Sequence, residues 1–444
     1  MSLSLALFGT PEWHRRVWRL ALPIMISNVS TPLLGLVDTA VVGHLDEPHY
    51  LGAVAVGALI FSFLFWGFGF LRMGTTGLTA QAWGADDPEE VRAVLGRALL
   101  LAAGIGVALI ALKGPIGLAA LGFFDASAEV EGHTAGYVAA RIWGAPATLA
   151  NYALLGWLLG MQRAGWALAL QLVLNGTNIV LDLVFVIGFG WGVVGVASAS
   201  AIAEWTALGV GLLLVARLTG RLEGRWSWAR LRDAAQFRRL VGVNADIMIR
   251  TLCLITVFAI FTNRGARQGD TVLAANAILQ QFQLFMAHAL DGFAHAAEAL
   301  VGRTIGARQK GELAQAVRTT TLWAAATAVV FALVYALAGG LVIDLLTGIE
   351  EVRAAARTYL PWAVAMPLLA VWSYQLDGIF LGATWTGALR NAMIASLGVF
   401  LIAVWTLQPA FGNHGVWAAL AVFMVARAAT LVVAYPGLAR KVGG

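Results

Sequence analysis

The chain has 444 residues, 60% of them hydrophobic and only 12% charged, with a formal net charge of +5 and a mean hydropathy of +0.79. Soluble domains carry about a quarter charged residues, so a soluble enzyme or binding module is excluded. The charge excess gathers in one loop, which points to membrane topology rather than nucleic-acid binding, and the single Cys253 excludes an intrachain disulfide.

Apolar runs of about 20 residues are long enough to cross roughly 30 Å of hydrocarbon as helices. They predict spans near 17–42, 51–82, 93–121, 136–161, 165–189, 192–216, 240–263, 272–300, 317–346, 356–382, 388–408 and 413–435. The expected fold class is an all-α polytopic membrane protein of twelve transmembrane helices. Pro23 interrupts the first span, removing a backbone hydrogen bond and kinking the helix, either as a static kink or as a hinge. Pro32 and then Asp38 follow towards its far end. The fourth span carries Asn151 and Tyr152. The fifth, NGTNIVLDLVFVIGFG at 175–190, carries Asn175, Asn178 and Asp182, and the sixth carries Ser200 and, one turn on, Glu204. Farther along, Arg250 lies in the seventh span, Met286 and Asp291 in the eighth, and Asp377 in the tenth. Ionisable groups at bilayer depth are costly and mark function or pairing.

Arginine and lysine set the orientation. Arg15, Arg16 and Arg19 precede the first span, seven arginines fill 217–239, and Arg303, Arg308 and Lys310 follow the eighth span. The alternate loops are poor in cations: 44–50 has no lysine or arginine, and 122–135 offers Asp125, Glu129 and Glu131. Both termini are therefore expected in the cytoplasm of a prokaryote, with the chain in its inner membrane. The loop 217–240, with Trp226 and Trp228 among its arginines, suits either an interfacial helix on the headgroups or, the favoured reading, a connector held at the surface by charge and aromatics.

The sequence repeats at a shift of 222 residues. TAQAWGADDPEEVRAVL (79–95) resembles VGRTIGARQKGELAQAV (301–317), YLGAVA (50–55) resembles VLAANA (272–277), and GMQRAG (160–165) resembles GATWTG (382–387). Parallel repeats of six spans imply two lobes, divided here as 1–220 and 221–444 with 217–239 as linker. The repeat also supplies an internal control. Asp38 corresponds to Ile260, and Asn178 and Asp182 to Phe400 and Val404, so the architecture does not itself require the polar set of the first half. Helical rise puts Asp38, Asn178, Asp182 and Ser200 all in the outer half of the first lobe. Two acids, an amide and a hydroxyl at one level could hold a proton or a hard cation such as Na⁺. In the second half, Arg250 is expected to be neutralised by Asp291, Asp377 or both. His288, Asp291, His295 and Glu298 share a helix face; a polar cavity lining is favoured there over a metal site.

The stretches LALPIMISNVSTPLLGLVDTAVVGHL, DIMIRTL, ALDGFAHAAEALVGRTIGAR and DGIFLGAT give the whole chain a resemblance to multidrug and toxic compound extrusion (MATE) transporters, and to their DinF-type branch. The resemblance implies a V-shaped bundle of two six-helix lobes and export of amphipathic or cationic organic compounds against H⁺ or Na⁺, with no further cofactor and no enzymatic activity. It also implies a first-lobe cation site at Asp38, Asn178, Asp182 and Ser200, with serine standing where threonine is common. Glu204 and Asp377 are second-tier members of the proton network, Pro23 is the hinge, and Asn151, Tyr152, Asn175 and Met286 are candidate substrate-lining residues. The helix-7 glutamate of another branch has no counterpart in RTLCLITVF (250–258). Small organic substrates and the bilayer are the expected partners of a monomer. The alternatives are a related flippase of lipid-linked cargo and, more remotely, a membrane-embedded metalloenzyme.

Overall fold

The computed structural model describes residues 10–43, 48–122 and 127–441, which are almost wholly helical. Residues 44–47 and 123–126, with Asp125 among them, lie outside the described residues, so the expectation for the two outer loops is only partly covered. In chain order the helices are α1 (Pro11–Val42), α2 (Pro48–Gly67), α3 (Phe70–Gly84), α4 (Pro88–Ala111), α5 (Lys113–Leu121), α6 (Ala128–Arg141), α7 (Ala145–Gly160), α8 (Ala164–Asp182) and α9 (Gly192–Thr219). There follow α10 (Trp228–Leu231), α11 (Ala234–Ala266), α12 (Asp270–Gly306), α13 (Lys310–Leu346), α14 (Glu350–Gly382), α15 (Thr386–Phe411) and α16 (Asn413–Lys441). Among the described residues, nine stretches are long and apolar enough to cross a membrane by length and composition. The fourth expected span is split into α6 and α7 by a 3₁₀ turn at Ile142–Gly144, just before Pro146. The eighth, α12, is diluted by its histidines and acids.

The helices form two compact units, Met1–Met25 with Ala245–Gly444, and Ile26–Asn244. The division expected from sequence at 220/221 therefore differs from the packing at both ends. The first half of α1 belongs with the second-half helices. His14 accepts a hydrogen bond from Trp323 Nε1 at 2.9 Å, Trp18 packs edge-on against Phe293 and Trp323, and Gly292 leaves room for Met25. The second half of α1 belongs with the first-half helices, and Pro23 lies just before the changeover.

The arginine-rich connector packs on the unit Ile26–Asn244. Buried Arg92 donates to the carbonyls of Thr219, Leu222 and Glu223 at 2.8, 2.9 and 2.7 Å, satisfying groups that the end of α9 would otherwise leave open. Arg97 reaches the Arg230 carbonyl and pairs with Glu90, while Arg230 donates to Asp87 at 2.8 Å. That hydrogen bond and the charge of Asp87 hold the Arg230 guanidinium above its ordinary pKa. Between the end of α9 at Thr219 and the start of α11 at Ala234 only Trp228–Leu231 is helical, and Trp226 and Trp228 are exposed. No interfacial helix longer than this forms there: Arg92 and Arg97 of α4 hold the connector's carbonyls and Arg230 is bound to Asp87, which leaves a strapped connector.

The repeat is visible in backbone detail. Non-glycine residues with positive φ occur in pairs at the 222-residue shift, Asp86 with Arg308 and Gln162 with Thr384. Glycines press helix on helix at equivalent points. A Cβ on Gly156 would lie 2.3 Å from Arg72 O, and one on Gly160 2.7 Å from Thr76 O. The counterparts Gly378 and Gly382 would meet Ala294 O at 2.1 Å and Glu298 O at 2.3 Å. Small residues admit such backbone contact where burying apolar surface gives no drive between helices. Gly378→Ala should therefore destabilise the solubilised protein by about 1–3 kcal/mol, as overpacking does. Gly398→Ala, where a Cβ meets nothing within 4 Å, should leave the melting temperature unchanged or raise it.

Candidate functional site

The fifth passage changes its winding at Asp182. Residues 164–182 are α-helical, and Leu183–Gly188 continue as a π-helix, so Asp182 stands at the junction. Such wide turns recur at functional sites because they re-aim side chains at the expense of regular hydrogen bonding. Asn178 lies one turn before Asp182 and shares its face. Both are buried, at 1% and 0% exposure.

The Asn178 amide bridges to the sixth passage. With its oxygen turned towards Ser200, it accepts from Ser200 Oγ at 3.1 Å and donates to Asp182 Oδ2 at 3.2 Å. Asp38, on the far half of α1, brings its carboxyl group within hydrogen-bonding reach of Asp182. Among the described residues no protein donor reaches Asp182 Oδ1, although it is fully buried. Two carboxyl groups this close favour a shared proton or cation over two bare charges. Asp38, Asn178, Asp182 and Ser200 are thus brought together on α1, α8 and α9. Their counterparts Phe400 and Val404 in the other unit are wholly buried and apolar.

Glu204, one turn beyond Ser200, has its own partners. Asn151 Nδ2 donates to its Oε2 at 2.8 Å and to its carbonyl at 2.9 Å, and Arg141 Nη2 lies 3.6 Å from its Oε1. Arg141 ends α6, and Gly144 in the following turn makes room for it: a Cβ there would meet Arg141 Nη1 at 2.7 Å. The guanidinium lies over Phe61 and Phe65, hydrogen-bonds with Tyr137, and acts electrostatically on Asp38. Arg141 was not singled out from the sequence. Its signal was present, an arginine within the fourth apolar span in ARIWGAPA.

The lining candidates fare differently. Asn151 is committed to Glu204. Asn175 donates to Ser30 Oγ at 2.9 Å and accepts from Gln171, so it ties α8 to α1. Met286 is 0% exposed and presents no surface. Tyr152 is half-buried near Glu204.

In the unit containing residues 245–444, Asp377 is clamped by two arginines. Arg250 Nη2 and Arg427 Nη2 both donate to its Oδ2, the latter at 2.6 Å. Arg427 also lies over Phe423 and Tyr374. Neutralisation of Arg250 by Asp377 agrees with the sequence reading, with Asp291 acting on Arg250 at longer range. The second arginine, Arg427 in FMVARAATL, was missed. A carboxylate held by two guanidiniums is a fixed ion pair, which argues against Asp377 as a proton carrier. On α12, His295 lies 3.4 Å from Glu298, whereas His288 turns to the Leu284 carbonyl. Among the described residues, no three His, Cys, Asp or Glu gather as a metal would require.

Comparison with known proteins bears on this geometry. The MatE family model matches the chain at residues 23–184 and again at 247–406, one match in each half. The chain is 45% identical over 419 residues to DNA damage-inducible protein F of Escherichia coli strain K12, covering 94% of this chain and 91% of that one. In fold it is similar to the MATE transporter VcmN of Vibrio cholerae in its bent form, with a TM-score of 0.85, 19% identity and coverage of 97% and 98%. A MOP superfamily transporter of Pyrococcus furiosus gives a TM-score of 0.85 at 18% identity, covering 100% of this chain and 98% of that one.

Proposed function

We propose that this chain, which belongs to the MatE family of multidrug and toxic compound transporters, exports amphipathic organic cations in exchange for protons taken up at Asp38 and Asp182. Family members are multi-pass membrane transporters, not enzymes. What is proposed here is the coupling ion, the exchange and the residues. One observation carries the reading: two carboxyl groups from α1 and α8 meet within hydrogen-bonding reach, in a buried place where, among the described residues, no protein donor reaches Asp182 Oδ1.

The steps follow from what each residue holds. With the termini in the cytoplasm, the pair lies towards the outer face, and a proton arriving from outside joins the two carboxyl groups. Asn178 and Ser200 keep Asp182 oriented while its charge changes. Asp38 is fixed to α8 through this contact, and Ser30 through Asn175, so the outer half of α1 follows the site. The inner half is fixed elsewhere by Trp18 and His14. Pro23 lies between these two attachments. It leaves the carbonyl one turn before it without a helical donor, so it is where α1 bends at least cost. Bending on protonation would reshape the space beside α8 and α9 and release cargo outward.

Purified protein in proteoliposomes tests the coupling. An imposed pH gradient without sodium should drive uptake of ethidium or tetraphenylphosphonium, and an imposed Na⁺ gradient at equal pH on both sides should not. Transport driven by Na⁺ alone would assign the same oxygens to a metal cation and defeat the proton reading.

A further inference from the structure

The proton site explains Asp38, Asp182, Asn178 and Ser200, but not the buried pair beside it. Glu204 is 7% exposed and is held by two hydrogen bonds from one Asn151 amide nitrogen. A rigidly presented carboxylate inside a bilayer needs a cation. The nearest is Arg141, yet the contact is loose: Nη2 stands 3.6 Å from Oε1, beyond hydrogen-bonding distance. Among the described residues Arg141 Nη1 is buried without a hydrogen-bond partner. Aromatic faces carry much of the remaining contact, with Phe61 and Phe65 centroids 5.7 and 5.4 Å from the guanidinium carbon. Such contact attracts a cation without fixing its direction. Arg141 is thus held near Glu204 but not locked onto it.

Arg141 also acts electrostatically on Asp38 of the proton site. Tyr137, one turn earlier on α6, hydrogen-bonds with Arg141 and lies within electrostatic reach of Asp38 and Asp182. The charged and titratable groups acting with Arg141 are therefore Asp38 on α1, Glu204 on α9, Tyr137 on α6 itself and Tyr152 on α7, with Asp182 on α8 acting on Tyr137 and Arg72 on α3 acting on Tyr152. Two carboxyl groups, Glu204 and Asp38, share the influence of one tethered guanidinium, and Asp38 is in turn joined to Asp182. Whichever side lacks it must find a positive charge elsewhere.

We propose that Glu204 is the subsite for the positive group of the cargo and that Arg141 is the tethered cation which the cargo displaces towards Asp38 and Asp182, where its arrival expels the proton. In reverse, a proton on the aspartate pair returns Arg141 to Glu204 and evicts the cargo. Cargo and proton then exclude each other through one movable charge, which is what antiport requires. Coupling of this kind is reciprocal: if cargo expels a proton, a proton weakens cargo by the same factor. This inference rests on the exchange reading above and adds the part that recognises cargo. Arg141 acts through other groups and is a positioning residue.

The test measures tetraphenylphosphonium affinity and the protons released per cation bound, using purified full-length protein in weakly buffered detergent between about pH 6 and 8. Wild type should release protons on binding, with affinity falling up to about tenfold per unit of acidification, the limit for one linked proton. Arg141→Gln removes the competitor, so it should bind the probe at least about tenfold tighter, with affinity independent of pH and no proton release. Arg141→Lys keeps a tethered charge and should restore release. Glu204→Gln should weaken binding about tenfold or more and abolish release. If wild type releases no protons, the exchange reading falls and this proposal with it. If wild type and Arg141→Gln release equal numbers, or Arg141→Gln binds the probe more weakly while still folded, the exchange reading stands and the role of Arg141 is refuted.

Discussion

Asp38→Asn and Asp182→Asn should each lower gradient-driven export at least about 100-fold, the scale of a coupling free energy of about 3 kcal/mol. Folded protein should be recovered at wild-type levels. Asparagine keeps the size of aspartate and supplies an amide donor. In Asp182→Asn, that amide can bond the Asp38 carboxylate directly, satisfying the pair without a proton. The fold loses nothing it needs, because the equivalent positions in the other unit are filled by Ile260 and Val404. What disappears is the ability to alternate between a shared proton and none. Cargo binding at equilibrium should persist, so a filter-binding assay alongside flux separates lost coupling from lost recognition. Export at the wild-type rate by either variant would remove the pair from the mechanism.

Asp377→Ala should be the more destructive change for stability. It removes the common partner of Arg250 and Arg427, which are 9% and 3% exposed. Breaking a buried pair from one side costs about 3–5 kcal/mol, because the remaining charge is stranded, and here two charges would be stranded. The solubilised variant should aggregate or melt well below wild type. Removing positive charge together with the carboxylate, as in Asp377→Ala with Arg427→Met, should recover part of the loss. The outcome separates a fixed structural clamp from a second ion site. If Asp377→Ala melts normally but fails to transport, Asp377 belongs to the transport cycle and the clamp reading is wrong.

The repeat was legible because it is written in backbone requirements. The turns at Asp86 and Arg308, and the glycines at 156, 160, 378 and 382, mark close approaches that few other residues permit. The polar set proposed to take up a proton stands out for a different reason. A carboxylate or amide stands out in an apolar span, and the second half shows what the fold accepts in its place. The arginines were read less well. Arg250 is not alone: Arg141 and Arg427 also interrupt apolar spans, and each lies beside an acid distant in sequence. Partners separated by 63 or 50 residues leave no local pattern. Asn175 and Met286 show the reverse limit: polarity or softness in a span does not say which way a side chain turns, and both proved to be used inside the bundle. The packing units divide within α1 because it is one unbroken helix whose halves pack with different partners, and helical periodicity carries no mark of that division.

The central claim is that Asp38 and Asp182 share a proton which cargo replaces. Infrared difference spectroscopy on reconstituted protein reads this directly through the carbonyl stretch of a protonated carboxyl group. Cargo-free wild type should show such a band, saturating tetraphenylphosphonium should remove it, and Asp182→Asn should lack it from the start. A wild-type spectrum in which cargo leaves every protonated-carboxyl band unchanged would contradict the account.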